Sequence, residues 1–146
     1  MLKLSTKGRY AVRIMVYLAS RDEEGPARKQ DIAEAEGISP DYVEQILIRL
    51  RAGGLVQSHR GARGGFTVAC DPRRTSVLDV LEATEGPLQI APCVEQGCDH
   101  VTRCAVQGVW NEAAESLRQV FSKALLSDLA DKVASLRTGN PLTYSI

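Results

Sequence analysis

The sequence predicts a mainly α protein with a small β-hairpin wing, a winged helix-turn-helix followed by a long C-terminal dimerisation helix. Three observations predict it. A short helical segment, a glycine turn and a strongly capped second helix follow one another between Arg28 and Gly53. Two alternating runs joined by a glycine-rich tip come directly behind them. Beyond Cys104 an apolar stripe of helical period continues to Arg137.

Taken in order, Ser5 caps a helix through GRYAVRIMVYLAS, where Ala11, Ile14, Met15 and Leu18 recur at i, i+3, i+4 and i+7. The acidic Gly-Pro turn DEEGPA ends it. Lys3, Lys7, Arg9 and Arg13 crowd its start, as a solvated basic face or as phosphate contacts. A short helix over 28–36 turns Ile32 and Ala33 inward and stops at Gly37-Ile38-Ser39. Ser39-Pro40 then starts the second helix: the serine hydroxyl accepts from free amides, and proline at the first helical position sacrifices no hydrogen bond.

That second helix places Val43, Ile46, Leu47 and Leu50 on one face and ends at Gly53-Gly54. Its other face carries Asp41, Tyr42, Glu44, Gln45, Arg49 and Arg51. In a helix-turn-helix the N-terminal part of this helix meets base edges in the major groove of double-stranded DNA. Glu44, accepting from cytosine N4, and Gln45, bidentate to adenine, are the natural readers. LVQSHR and GFTVAC are the wing strands, and Gly61-Ala62-Arg63-Gly64 is the tip between them. Arg60 and Arg63 there reach a minor groove or its phosphates.

Thr75 or Ser76 caps a helix over 77–84, closed by Gly86-Pro87. From about Cys104 to Arg137, Val106, Val109, Trp110, Ala113, Leu117, Val120, Phe121, Ala124, Leu125, Leu129, Val133 and Leu136 form one stripe. A single helix of that extent is about 45 Å long, more than the winged-helix body beside it. It predicts a two-fold homodimer that pairs these helices and sets two reading heads about one DNA turn apart. The chain thus divides into 1–75, the DNA-binding region; 76–103, a connecting helix and cysteine-rich loop; and 104–146, the dimerisation helix and tail.

The loop reads CVEQGCDHVTRC, with Cys93, Cys98 and Cys104 spaced C-x4-C-x5-C. Thiolates bind soft metals and iron–sulfur clusters, and three on one loop spare most of the loop-closure entropy of gathering ligands. The spacing matches neither the paired knuckles of a zinc ribbon nor CxxC redox chemistry. A metal or cluster site and a thiol-based switch both remain open from the residues. Cys70, ending the second wing strand, reads as structural.

Composition sets the frame. At 146 residues, 44% hydrophobic and 25% charged, the chain fits one ordinary globular domain. No apolar run approaches a membrane span and the N-terminus lacks the pattern of a cleaved leader, so the expectation is a cytoplasmic protein with reduced thiols. Net charge is zero but unevenly spread: residues 1–75 hold 13 Lys and Arg against 9 Asp and Glu, while the remainder hold 5 against 9. The basic surplus coincides with the DNA-reading pattern. No nucleotide fingerprint or paired acid and base points to an enzyme.

LSTKGRYAV, DIAEAEGISPDYVEQIL, GLVQSHRGARGGF and the three cysteines before a long helix together resemble the iron–sulfur cluster regulator family of bacterial winged-helix transcription factors, most of all its IscR branch. The resemblance implies a homodimer on a DNA operator, with a two-iron or four-iron cluster per subunit on Cys93, Cys98 and Cys104. It also implies operator contacts at Glu44, Gln45 and Arg60, with Asp41 and Tyr42 opening the same helix. Where the IscR type places a histidine ligand, this chain has Gln107; His100, inside the loop, is a local candidate for the fourth ligand. Where a related type offers an acidic residue from the partner's first helix, this chain has Gly8. The alternative keeps the fold and uses the cysteines as a thiol-disulfide or zinc-dependent switch.

Overall fold

The computed structural model describes residues 2–95 and 97–139. Residues 140–146, the predicted tail, lie outside the described residues. Helix α1 (Thr6–Ala19) begins where Ser5 Oγ accepts from the Gly8 amide. It buries Ala11, Ile14, Met15 and Leu18, the four positions its period marks. Helices α2 (Lys29–Glu36) and α3 (Pro40–Ala52) form the helix-turn-helix. Gly37 between them adopts a left-handed φ of 67°, a conformation that a side chain would strain. Ser39 Oγ accepts from the Tyr42 amide, and Pro40 opens α3.

The wing is an antiparallel pair, β1 (Val56–His59) and β2 (Gly65–Val68), with Val56 opposite Val68 and His59 opposite Gly65. Its second strand also pairs with the segment before α2: Ala27 and Phe66 exchange both backbone hydrogen bonds, at 3.0 and 2.8 Å. Gly65 makes this approach possible. Its φ is +151°, and a Cβ there would stand 2.4 Å from the Ala27 carbonyl oxygen.

Helix α4 (Val77–Glu85) starts at Ser76, whose Oγ accepts from the Asp79 amide while Asp79 Oδ2 accepts from the Ser76 amide. It packs on α1 and α3, and Val80 joins their core of Ile14, Met15, Ile32, Val43, Ile46, Leu47 and Leu50. The cysteine loop follows, containing the one-turn helix α5 (Pro92–Glu95) and a short 3-10 turn at Val101–Arg103.

The C-terminal stripe departs from expectation. Instead of one helix from Cys104 to Arg137 there are two, α6 (Gln107–Lys123) and α7 (Leu126–Arg137), with Ala124 and Leu125 extended between them. No glycine or proline marks the break. Tertiary hydrogen bonds make it: Val77 N donates to Ala124 O at 2.8 Å, Leu126 N to Thr75 O at 3.0 Å, and Ser127 N to Pro72 O at 3.0 Å. These bonds satisfy groups that a continuous helix would have paired internally. Leu126 enters the core and α7 folds back on α1, burying Leu126 and Ala130, while the stripe residues Leu125, Leu129 and Val133 are half-buried and Leu136 stays exposed. The 17 residues of α6 span about 25 Å, little more than half the expected length.

Candidate nucleic-acid interface and cysteine loop

Helix α3 exposes the predicted residues because its apolar face is committed to the core. Asp41, Glu44, Gln45 and Arg49 are exposed, and Tyr42 is half-buried. The Tyr42 ring meets Tyr10 edge to face, with centroids 6.2 Å apart. Glu44 is not isolated: Lys29 Nζ, at the first position of α2, donates to Glu44 Oε2 at 2.6 Å. That hydrogen bond, with the charges of Glu44 and Asp41, raises the Lys29 ammonium above its ordinary value against slight desolvation. At the C-terminal end of α3, Arg51 donates to Ser58 on the wing at 3.4 Å.

Arg60 and Arg63 are exposed at the wing tip. The tip is moored to the helix-turn-helix through Arg28, whose guanidinium donates to Ala62 O at 3.0 Å. Recognition helix and wing are therefore held in one frame, with arginines at its edge and carboxylates and amides at its centre. Two of the basic residues near α1 are engaged elsewhere: Lys7 faces Glu85 at 3.7 Å and Arg13 faces Glu36.

The three loop cysteines are unpaired thiols, each half-buried. Cys93 lies in α5, Cys98 follows Gly97, and Cys104 closes the 3-10 turn. The His100 amide donates to Cys98 Sγ at 3.4 Å. His100 is exposed and Gln107, half-buried, opens α6. Among the described residues no three His, Cys, Asp or Glu side chains are gathered as a metal-holding group. As a donor set the three thiols fit a soft metal or iron–sulfur cluster, provided the loop draws them together. Gly8 is buried and has no side chain, so that position supplies no ligand.

The profile of the Rrf2 family, described as iron-dependent transcriptional regulators, matches residues 4–132. This chain belongs to the Rrf2 family. The HTH-type transcriptional regulator IscR of Xenorhabdus nematophila is 36% identical over 129 residues, covering 88% of this chain and 79% of that one. The HTH-type transcriptional regulator CymR of Bacillus subtilis is 34% identical over 129 residues, covering 88% and 90%. Among solved structures, the B. subtilis CymR, titled the global cysteine regulator, aligns with a TM-score of 0.76 at 35% identity, covering 90% of this chain and 98% of that one. The T. potens IscR aligns at 0.75 with 34% identity, covering 98% and 94%.

As an Rrf2 protein the chain is a DNA-binding transcriptional regulator and not an enzyme. No helix among the described residues is long and apolar enough to cross a membrane. Sequence reasoning missed Lys29, Arg28 and Tyr10. Each lies outside the recognition helix and wing and acts on them across a helix–helix or helix–wing junction, which no spacing along the chain displays.

Proposed function

We propose that this regulator works as a homodimer on double-stranded DNA and that an iron–sulfur cluster on Cys93, Cys98 and Cys104 sets its operator affinity. One observation carries the reading. The thiols share one loop that joins α4, packed on α1 and α3 of the reading head, to α6. The root of the loop is tied to α6, because Arg118 donates to Leu88 O at 2.8 Å. When bound, a cluster of two or four irons would supply a redox- and iron-responsive centre, held chiefly by the three thiolates. His100 or Gln107 would be the candidate fourth contact, the alternative being a site left open.

The chain's own residues do the remaining work. Gathering the thiols moves the loop, whose first end is tied to α6 at Leu88 and whose second end runs directly into that helix. The pull falls on α4 and so on the packing beneath the recognition helix. A coupling of about 1 to 3 kcal/mol changes operator affinity about 5- to 150-fold. Helix α6 buries only Ala114 and exposes Val109 at 57%, Trp110 at 38% and Val120 at 63%. Such a face on a helix fits pairing with the same face of a second copy. In this reading 1–75 reads DNA, 76–103 senses and 104–146 pairs subunits, with Glu44, Gln45, Arg49, Arg60 and Arg63 at the operator and Asp41 and Tyr42 positioning them.

The test is iron and acid-labile sulfide content, with absorption and electron paramagnetic resonance spectra, on protein purified without oxygen. Two or four of each per chain supports the cluster. Neither iron nor sulfide overturns it and favours a second reading, a thiol-disulfide or zinc switch. That reading draws on the similarity to CymR and on the unpaired state of the three half-buried thiols.

A further inference from the structure

The Lys29–Glu44 contact crosses the two helices of the motif at the surface that meets DNA. Lys29 is 28% exposed and Glu44 54% exposed, so the pair adds little to folding. Its effect lies in what it does to Glu44. A free carboxylate at this surface faces a dense row of phosphates and is repelled by them. Asp41, one turn earlier on the same face, doubles the negative charge. Lys29 is the cation that answers both.

The contact also has a direction. Lys29 holds Glu44 Oε2, and among the described residues Oε1 has no hydrogen-bond partner. A carboxylate fixed through one oxygen presents the other as a single acceptor. In the major groove a single acceptor pairs with an exocyclic amine, the N4 amine of cytosine being the usual partner of glutamate. Lys29 enters α2 beside Arg28, which moors the wing tip at Ala62. The ammonium is thus placed from a fixed point.

We infer that Lys29 is a specificity-determining positioning residue, which neutralises Glu44 and fixes it with one oxygen free to accept from a base amine. The inference rests on Glu44 being a base reader. In its absence, Glu44 swings among rotamers and repels the backbone, and the operator loses its preference at one base pair.

The experiment selects bound sequences from random double-stranded DNA with the full-length protein, then measures affinity for every single-base variant of the best site. Glu44→Ala is expected to relax one position. Lys29→Met is expected to weaken binding modestly at every site and, beyond that, to relax that same position by about 5- to 10-fold, leaving the preferences at the other positions unchanged. Lys29→Arg, which keeps the charge, is expected to restore the preference, and Lys29→Met added to Glu44→Ala to change no preference further. If Lys29→Met instead weakens all sites equally with no preference lost and flattens the salt dependence, Lys29 is a phosphate contact and the inference is overturned. If Glu44→Ala relaxes no position, the base-reading role of Glu44 fails and the inference falls with it.

Discussion

Tyr10 and Tyr42 meet edge to face, their planes at 84°, and so lock the middle of α1 to the first turn of the recognition helix. Arg13 lies over the other ring of the pair, 5.3 Å from the Tyr10 centroid. Replacing Tyr10 by Leu keeps most of the apolar area and removes the ring pair. The expected loss is about 1 kcal/mol of stability, read by urea unfolding, with weaker operator binding because the start of α3 is less firmly held.

Gly65→Ala is expected to be costly. Its Cβ would collide with the Ala27 carbonyl, which is backbone and cannot rotate aside. Relief requires parting β2 from Ala27, so a loss of about 1 to 3 kcal/mol is expected from the strained backbone alone. Amide hydrogen exchange should show Phe66 and Ala27 losing protection first.

Ser76→Ala removes the hydroxyl that caps α4 and that also donates to Asp79 Oδ2 at 2.6 Å. A loss of about 0.5 to 2 kcal/mol is expected by thermal or urea unfolding. Since α4 connects the loop to the reading head, the variant should also show a smaller difference in DNA affinity between cluster-loaded and cluster-free protein.

Alanine at Cys93, Cys98 or Cys104 is expected to abolish the visible chromophore while size-exclusion chromatography still finds the dimer. Three variants that all retain full iron and sulfide content would show that other residues hold the cluster.

Asp71, in the connector after the wing, accepts from the Arg73 amide at 2.9 Å, and this bond, with the nearby arginines, holds its carboxyl below the ordinary value of 3.8. A carboxyl lowered on folding contributes stability that is present above the unfolded value and lost as pH falls through the folded one. Unfolding titrations are therefore expected to find Asp71→Asn slightly less stable than the parent by a constant margin at neutral pH, the two curves converging as pH falls below about 3.8.

Most of the reading head was legible because its signals are local. Ser5, Ser39 and Ser76 cap the helices they precede, and the apolar periods of α1 and α3 are the buried positions found. The wing strands are shorter than read, Val56–His59 against 55–60 and Gly65–Val68 against 65–70, since pairing stops where the tip and connector begin. The end of α6 was illegible: Lys123 to Leu126 has good helical composition, and only residues some fifty positions earlier decide otherwise. The same holds at the candidate site. The exposure of Glu44 could be read from its place in α3, whereas its partner Lys29 lies in another helix and shares no period with it.

The bridge between Ser76 and Leu125 fastens both ends of the intervening chain to one spot on the body. Of the chain between them, α4 stays packed on the body, and the cysteine loop with α6 forms an excursion of about forty residues that leaves after Glu85 and rejoins at Leu125. Lengthening such an excursion costs little, about 0.6 kcal/mol for each doubling of its length. The excursion can therefore be rebuilt, with other ligands or another span of loop, while the DNA-reading body keeps its shape. One scaffold can in this way carry different sensors without relearning how to hold a recognition helix.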